Sequence, residues 1–223
     1  MVDSGTRTPT TREVKKAERR SELLAAAATL FADRGFAGVR LEDLGAAVGI
    51  SGPAVYRHFP NKEAVLVELL VDISEYLLAG GQRVAATAAE PAQILAELVD
   101  FHLDFALESP ALIRIQDRDL QSLPEAARRT VRRKQREYVE IWVGVLREFH
   151  STRELQNTHE LHSTHEFQNT RELHSTMEEA DARTTAHAAF GLMNSTPFSA
   201  NRTVSTRSRV LLRAMTIGAL ALN

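Results

Sequence analysis

The chain has 223 residues, of which 43% are hydrophobic, with a net charge of −2 and no cysteine. That length suits one large or two small domains, and the missing thiols exclude disulfides and thiolate metal centres, as fits a reducing cytosol. No apolar run approaches the ~18 residues of a membrane-spanning helix, which excludes membrane partners by that route.

Charge is unevenly divided. Residues 1–62 carry ten Lys or Arg against seven Asp or Glu, whereas the remainder carries 17 against 22. A basic end on an acidic body is expected if only that end meets a polyanion, although so small an excess also suits an ordinary solvated surface.

The periodicity is helical throughout, so an all-α fold is expected. Residues 1–14 read as a basic flexible arm. Arg7 and Arg12, with Lys15, Lys16, Arg19 and Arg20 just beyond, are available for phosphate or minor-groove contact or remain solvated. Thr10 and Glu13 form a capping-box pair ahead of a first helix that runs to about Arg34 and stops at Gly35. The stretch KKAERRSELLAAAATLFADRG has the charge order of a signal peptide, but Leu23, Ala27, Leu30 and Phe31 recur at helical spacing, so it reads as an amphipathic helix.

A second helix spans roughly Leu41 to Val48, with Leu41, Leu44 and Val48 on one face. Gly49 then takes the left-handed position. Ser51 is the expected N-cap of a third helix, its hydroxyl accepting from the amide of Ala54, with Pro53 in the first turn. Two short helices joined by a glycine-containing turn make a helix-turn-helix. At 100° per residue, Val55 and Phe59 share a buried stripe. Arg57 and Pro53 point away from it, flanked by Tyr56, Ala54 and His58. A guanidinium, a phenol, an imidazole and small apolar groups suit phosphates, base edges and thymine methyls. Lys62 and the free amides that open the fourth helix favour a phosphate.

Residues 15–66, above all GFAGVRLEDLGAAVGISGPAVYRHFPNKEAVL, resemble the DNA-binding domain of the TetR/AcrR family of bacterial transcriptional regulators. The likeness lies in Gly35-Phe36, in Leu44 and Gly49-Ile50-Ser51, in Tyr56-Arg57-His58-Phe59, and in Asn61-Lys62-Glu63. It implies a three-helix DNA-binding domain over 15–62 and a ligand-binding and dimerisation bundle over 63–223. By the same resemblance the third helix recognises DNA. Gly52, Pro53, Ala54 and Arg57 then face base edges, Tyr56, His58 and Lys62 hold the backbone, and Ser51 at the cap belongs to the same DNA-binding set. Arg40 stands where the family usually has a capping threonine, and can reach the groove instead. Gly45 stands where alanine is usual and costs the second helix roughly 0.5–1 kcal/mol.

The fourth helix carries Leu66, Leu69, Leu70, Ile73 and Leu77 on one face, and Gly80-Gly81 is expected to end or kink it. Pro91 opens a fifth helix with Ile94, Leu98, Phe101 and Phe105 inward, and Ser109-Pro110 opens a short sixth. Ser122, Pro124 and Glu125 start a seventh helix that reaches Phe149. Arg128, Arg129, Arg132, Arg133 and Arg136 form a stripe on it that could meet an anionic ligand but reads better as solvated. A mostly apolar effector pocket with a few polar groups is expected among Phe101, His102, Phe105, Gln116, Tyr138, Trp142, Phe190 and Asn194, each of which also suits simple packing.

Residues 150–176 are a low-complexity hexapeptide repeat, HSTRELQNTHELHSTHEFQNTRELHST. Leu155, Leu161, Phe167 and Leu173 recur every six residues and make no helical stripe, while helix-start pairs such as Ser151/Glu154 compete. A mobile insert between the seventh and eighth helices is expected. His159, His162 and His165 could bring two imidazoles onto one face, but nothing rigid would hold a metal, so no metal site and no cofactor is expected. Helices at about 178–194, which Thr176 and Glu179 could cap, and 205–222 carry faces more apolar than a chain end needs. By the resemblance these form the homodimer interface.

The expectation is a cytoplasmic, sequence-specific transcriptional regulator, not an enzyme: a homodimeric repressor released from a palindromic operator by an apolar or acyl-type small molecule. The alternative is a TetR-like architectural or adaptor protein that binds DNA without an inducer and acts through a protein partner. No nucleophile elbow, phosphate loop or rigid metal-ligand cluster points to catalysis.

Overall fold

The computed structural model describes residues 10–163, 177–195 and 206–221, and among them every regular element is a helix. An N-terminal unit holds α1 (Thr11–Arg34), α2 (Leu41–Ala47) and α3 (Gly52–Val55). From it α4 (Lys62–Ala85) leads into a bundle of α5 (Pro91–Glu108), α6 (Pro110–Asp119), α7 (Glu125–Ser163), α8 (Glu179–Met193) and α9 (Thr206–Ala221). A single 3₁₀ turn, Leu120–Ser122, precedes α7.

Local rules place the first boundary. Thr10 Oγ1 accepts from the Glu13 amide at 3.3 Å, and the Glu13 carboxylate accepts from the Thr10 amide at 2.7 Å. Those bonds hold the Glu13 carboxyl below its usual pKa, as expected for an anion at a helix start. The helix therefore begins inside the stretch expected to be a flexible arm, of which residues 1–9 lie outside the described residues. Gly35, at φ 79°, ends α1 and donates its N–H to the Phe31 carbonyl at 2.9 Å.

Two cores meet along α4. Leu23, Ala27, Phe31, Leu44, Val55 and Phe59 of the N-terminal unit close on Leu66 and Leu70, and Ile115 of α6 joins them. Ile73, Leu77 and Leu78, further along α4, belong to the bundle core with Leu98, Leu103, Trp142, Leu146, Ala186 and Met193. One continuous helix is thus buried in both units, so a tilt of α4 in the bundle must move the N-terminal unit or break packing.

Gly80 and Gly81 do not end α4, which runs on to Ala85 with both glycines buried. Rings explain them. A methyl group at Gly80 would stand 2.0 Å from Phe101 Cζ, and one at Gly81 would stand 2.6 Å from Tyr138 Cε2. Only a bare backbone lets those aromatic faces lie on the helix.

α7 passes the expected end at Phe149 and continues to Ser163. Extending an existing helix adds one bond for each residue fixed, whereas each start signal in the repeat would need a new nucleus. The first turn of the extension is also tied down. His150 is buried with Nε2 3.1 Å from the Leu220 carbonyl, and Arg153 donates to the Ala221 carbonyl. The remaining repeat, residues 164–176, lies outside the described residues, as do Thr176 and the side chains of His159, His162 and His165.

Candidate nucleic-acid interface and effector site

The turn between α2 and α3 depends on two glycines. Gly49 sits at φ 71°, and the Ile50 amide closes the turn onto the Gly45 carbonyl at 2.9 Å. A methyl at Gly45 would lie 2.7 Å from Val55 Cγ2 and 2.9 Å from the Ile50 carbonyl. The departure from alanine therefore trades some stability of α2 for close approach of α3.

α3 differs from the expected rod. Regular helix ends at Val55, and residues 56–58 continue as a turn in which His58 N–H bonds the Val55 carbonyl at 2.8 Å. The Ser51 hydroxyl makes no cap; the Ala54 amide bonds the Ser51 backbone carbonyl instead, at 2.9 Å. The facing of side chains survives this change. Val55 and Phe59 are fully buried, while Ser51, Pro53, Tyr56 and Arg57 are exposed and Gly52 and Ala54 partly so. Arg40 is exposed at the N-cap of α2, its amide bonded to Asp43 at 2.8 Å.

Two expected backbone contacts look inward. Lys62 Nζ donates to the Phe36 carbonyl at 2.8 Å and the Val39 carbonyl at 3.0 Å, and it lies 4.4 Å from the Phe36 ring centroid. With its donors engaged on the α1–α2 turn, Lys62 is a brace in this state. His58 is half-buried, with Nδ1 unpartnered. Burial, and then the nearby Lys16, Arg20, Arg19 and Arg57, push its pKa down, so the ring is neutral rather than a cation for phosphate.

Several contacts that shape this face have no counterpart in the sequence pattern, and Arg20, expected to be free for phosphate or to stay solvated, is engaged in one of them. Glu42 accepts from the Tyr56 hydroxyl at 3.0 Å, and this carboxylate holds the phenol above its ordinary pKa. Arg20 Nε donates to Glu68 at 2.7 Å, a second nitrogen completes the pair, and a third bonds the His58 carbonyl. Its guanidinium also lies 4.0 Å over the Phe59 ring. Arg20 thus fastens the end of α3 to α1 and α4 together. From the bundle side, Arg118 bonds the Phe31 and Ala32 carbonyls, and buried Asp119 accepts from the Phe36 amide at 3.4 Å. The α1–α2 turn is held by α4 and α6 at once.

In the bundle, six of the eight nominated effector residues, His102 included, meet at His102. Its Nδ1 is 3.3 Å from the Tyr138 hydroxyl and its Nε2 is 3.1 Å from Asn194 Oδ1. Ring centroids of Phe190, Phe105, Tyr138 and Trp142 stand 4.9–6.3 Å away. Phe101, half-buried on the same helix, packs against Tyr76 and Gly80. Gln116, on α6, stands outside these ring contacts. Burial lowers the His102 pKa to about 4, opposed by the Asn194 bond, and raises that of Tyr138. Both are neutral at neutral pH.

The arginine stripe of α7 is largely self-paired: Arg128 and Arg129 meet Glu125, and Arg133 meets Glu137. On α9, Val210, Leu211 and Met215 are 62%, 58% and 49% exposed, an apolar row in water. Among the described residues no helix is long and apolar enough to cross a membrane, and no group of three or more potential metal ligands converges.

Residues 23–69 match the family model of bacterial regulatory proteins, tetR family, and residues 88–165 match the tetracyclin repressor-like C-terminal domain. The repressor KstR2 of Mycolicibacterium smegmatis is 31% identical over 133 residues, which cover 59% of this chain and 65% of that protein. The fold matches a TetR-family regulator from Bordetella parapertussis with TM-score 0.71 at 22% identity, covering 92% and 94% of the two chains. It also matches AibR, solved with isovaleryl coenzyme A and operator DNA, with TM-score 0.63 at 16% identity, covering 90% and 96%.

Proposed function

Because the chain belongs to the TetR family of bacterial regulatory proteins, we propose that it is a homodimeric, cytoplasmic repressor that leaves a palindromic operator when a small molecule enters its bundle. One observation carries the reading. Tyr56 and Arg57 stand exposed beside Pro53, immediately next to a fully buried Val55 and Phe59. A short segment so divided offers a large ring and a guanidinium to something outside the fold.

Arg57 and Arg40 are the residues able to fork onto a guanine edge, while Pro53 and Ala54 meet thymine methyls and Gly52 admits close approach. Tyr56 and Ser51 contact phosphates. Lys62 and the His58 carbonyl act from behind, as points from which the α1–α2 turn and the end of α3 are held. Two copies bring these segments to successive major grooves about 34–36 Å apart.

The exposed row Val210, Leu211 and Met215 supplies the two-fold contact, with the outer face of α8 beside it. An effector among the bundle rings then shifts α4, and with it the spacing of the two segments. AibR, with its acyl-coenzyme A and operator, is a precedent for one fold holding both ligands.

Footprinting on the promoter regions beside the gene, with and without cell metabolites, tests the reading. Protection over a palindrome that metabolites abolish is the expected result; protection that metabolites leave unchanged favours a constitutive adaptor. Leu211→Glu combined with Met215→Glu should give a folded monomer in sedimentation that no longer protects DNA. A variant that stays dimeric would move the interface elsewhere.

A further inference from the structure

We propose that the groove along the outer face of α4 binds an elongated amphipathic organic cation, which draws Glu68 away from Arg20 and so loosens the end of α3. The groove encloses about 620 Å³, within the range of small-molecule sites, and shares no lining residue with the aromatic cluster of the bundle. Its lining comes from both units. Arg20 of α1 and Pro60 and Asn61 of the turn before α4 belong to the DNA-binding unit, whereas Pro124 stands just ahead of α7.

Helical spacing divides the groove lengthwise. At about 100° per residue, Ala64, Val67 and Val71 fall on one stripe, with Glu63 along one edge and Glu68 and Asp72 along the other. The stripe packs on the N-terminal core yet is only half-buried, so an apolar floor is left open between acidic rims.

The carboxylates there outnumber their cations. Glu68 is paired with Arg20, and Glu75, one turn beyond Asp72, is paired with Lys134. Glu63 and Asp72 form no ion pair among the described residues. Glu68, Asp72 and Glu75 follow one another on adjacent turns, a spacing at which like charges repel. Partial loss of water and then Glu68 hold the Asp72 carboxyl above its ordinary pKa, with Arg20 opposing and Glu75 adding to the rise. A bound cation relieves that repulsion and an anion adds to it. The open stripe gives the hydrocarbon part of such a cation a surface on which to leave water.

Arg20 connects the groove to DNA binding. Its guanidinium is forked onto Glu68 and also bonds the His58 carbonyl. Held on Glu68, it fixes the end of α3; displaced by a cation that takes Glu68 and Asp72, it turns to solvent and the tie is lost. This second site goes beyond the effector of the bundle, and it rests on the repressor proposed above only for its effect on DNA.

Calorimetric titration of the full-length protein uses three molecules of one shape: 4-phenylbutylamine, a cation at neutral pH; 4-phenylbutanol, which is neutral; and 4-phenylbutyrate, an anion. Saturable binding is expected for the amine, about tenfold weaker binding for the alcohol, and none for the butyrate. Asp72→Asn and Glu63→Gln should each weaken the amine about three- to fivefold without lowering the melting temperature. Equal binding of amine and alcohol, or an amine affinity that neither variant reduces, overturns the site.

In fluorescence anisotropy with a promoter duplex, saturating amine should weaken binding by the parent about fivefold, the range of one charge-assisted tie. In Arg20→Ala the amine should still bind but shift DNA affinity no further, since the tie is already gone. No shift in the parent, or an equal shift in Arg20→Ala, overturns the connection through Arg20. The two readings fail separately. A groove that ignores the amine leaves metabolite release from the operator untouched, whereas amine binding to a protein that protects no promoter refutes the repressor and not the site.

Discussion

The Tyr56 hydroxyl donates to Glu42 Oε1 at 3.0 Å, joining the first turn of α2 to the end of α3 on the face proposed to meet DNA. While that bond lasts, the phenol has no proton for a phosphate, and a carboxylate faces the polyanion. A unit charge about 4 Å from a phosphate in water is worth roughly 1 kcal/mol, or about fivefold in affinity. Glu42→Gln should therefore bind both operator and random duplex about fivefold more tightly in fluorescence anisotropy, narrowing the ratio between them if Glu42 also selects against wrong bases. Weaker binding to both duplexes would mean that the carboxylate chiefly positions Tyr56.

Arg20 should matter to DNA binding without touching DNA. Its guanidinium joins Glu68, the His58 carbonyl and the Phe59 ring. The pair is partly solvated, so Arg20→Ala should cost only about 1 kcal/mol in urea denaturation. Operator affinity should fall further than that, because the end of α3 loses its tie to α1 and α4. Arg20→Lys keeps the charge and loses the fork, and should bind nearly as poorly as the alanine variant. Full binding by the lysine variant would reduce Arg20 to a simple surface cation.

His102 predicts how stability depends on pH. Its folded pKa, about 4, lies below its unfolded value of 6.5. Between these values the unfolded chain binds the proton and the folded one does not, so stability falls as pH drops from 6.5 towards 4 and levels off below. A shift of that size corresponds to about 3 kcal/mol over the window. His58 shifts in the same direction and adds to the slope. Comparing urea midpoints for the parent and His102→Gln at pH 7 and pH 5 isolates His102: the variant should lose less on acidification. Identical losses would place the proton uptake elsewhere.

What was legible in the sequence was local. The Thr10–Glu13 cap, the Gly49 turn, and the division between Val55 with Phe59 and Tyr56 with Arg57 each arise within a few residues, where spacing alone decides. The aromatic set around His102 was also legible, because rings at helical spacing on three helices have one interior to share. The braces were not. Arg20 with Glu68 and Asp119 with Phe36 join positions 48 and 83 apart, so nothing near either residue marks its partner. The inward setting of Lys62 was hidden for the same reason: a cation at a helix start suits a phosphate, and nothing nearby in the sequence marks the carbonyls of the distant turn that it also reaches. The repeat misled differently, since its start signals compete with a helix already under way.

Gly80 tests whether the contact between ring and helix is a lever or a mere filler. Alanine is the better helix former by about 1 kcal/mol, so an unconstrained Gly80→Ala should stabilise the protein. Here the added methyl would stand 2.0 Å from Phe101 Cζ and 2.5 Å from Cε2, which forces the ring or the helix to move. A net loss of about 1–3 kcal/mol is expected in chemical denaturation. Phe101→Ala alone should also destabilise, through lost packing, but the double variant should be more stable than the sum of the two changes predicts, because the methyl then fills space the ring has left. The same pair separates lever from filler. If ring pressure on α4 transmits the effector, Phe101→Ala should hold DNA through metabolite concentrations that release the parent, while Gly80→Ala, with α4 already displaced, should bind DNA more weakly before any effector is added. Additive stabilities and unchanged release in both variants would leave α4 without this point of control.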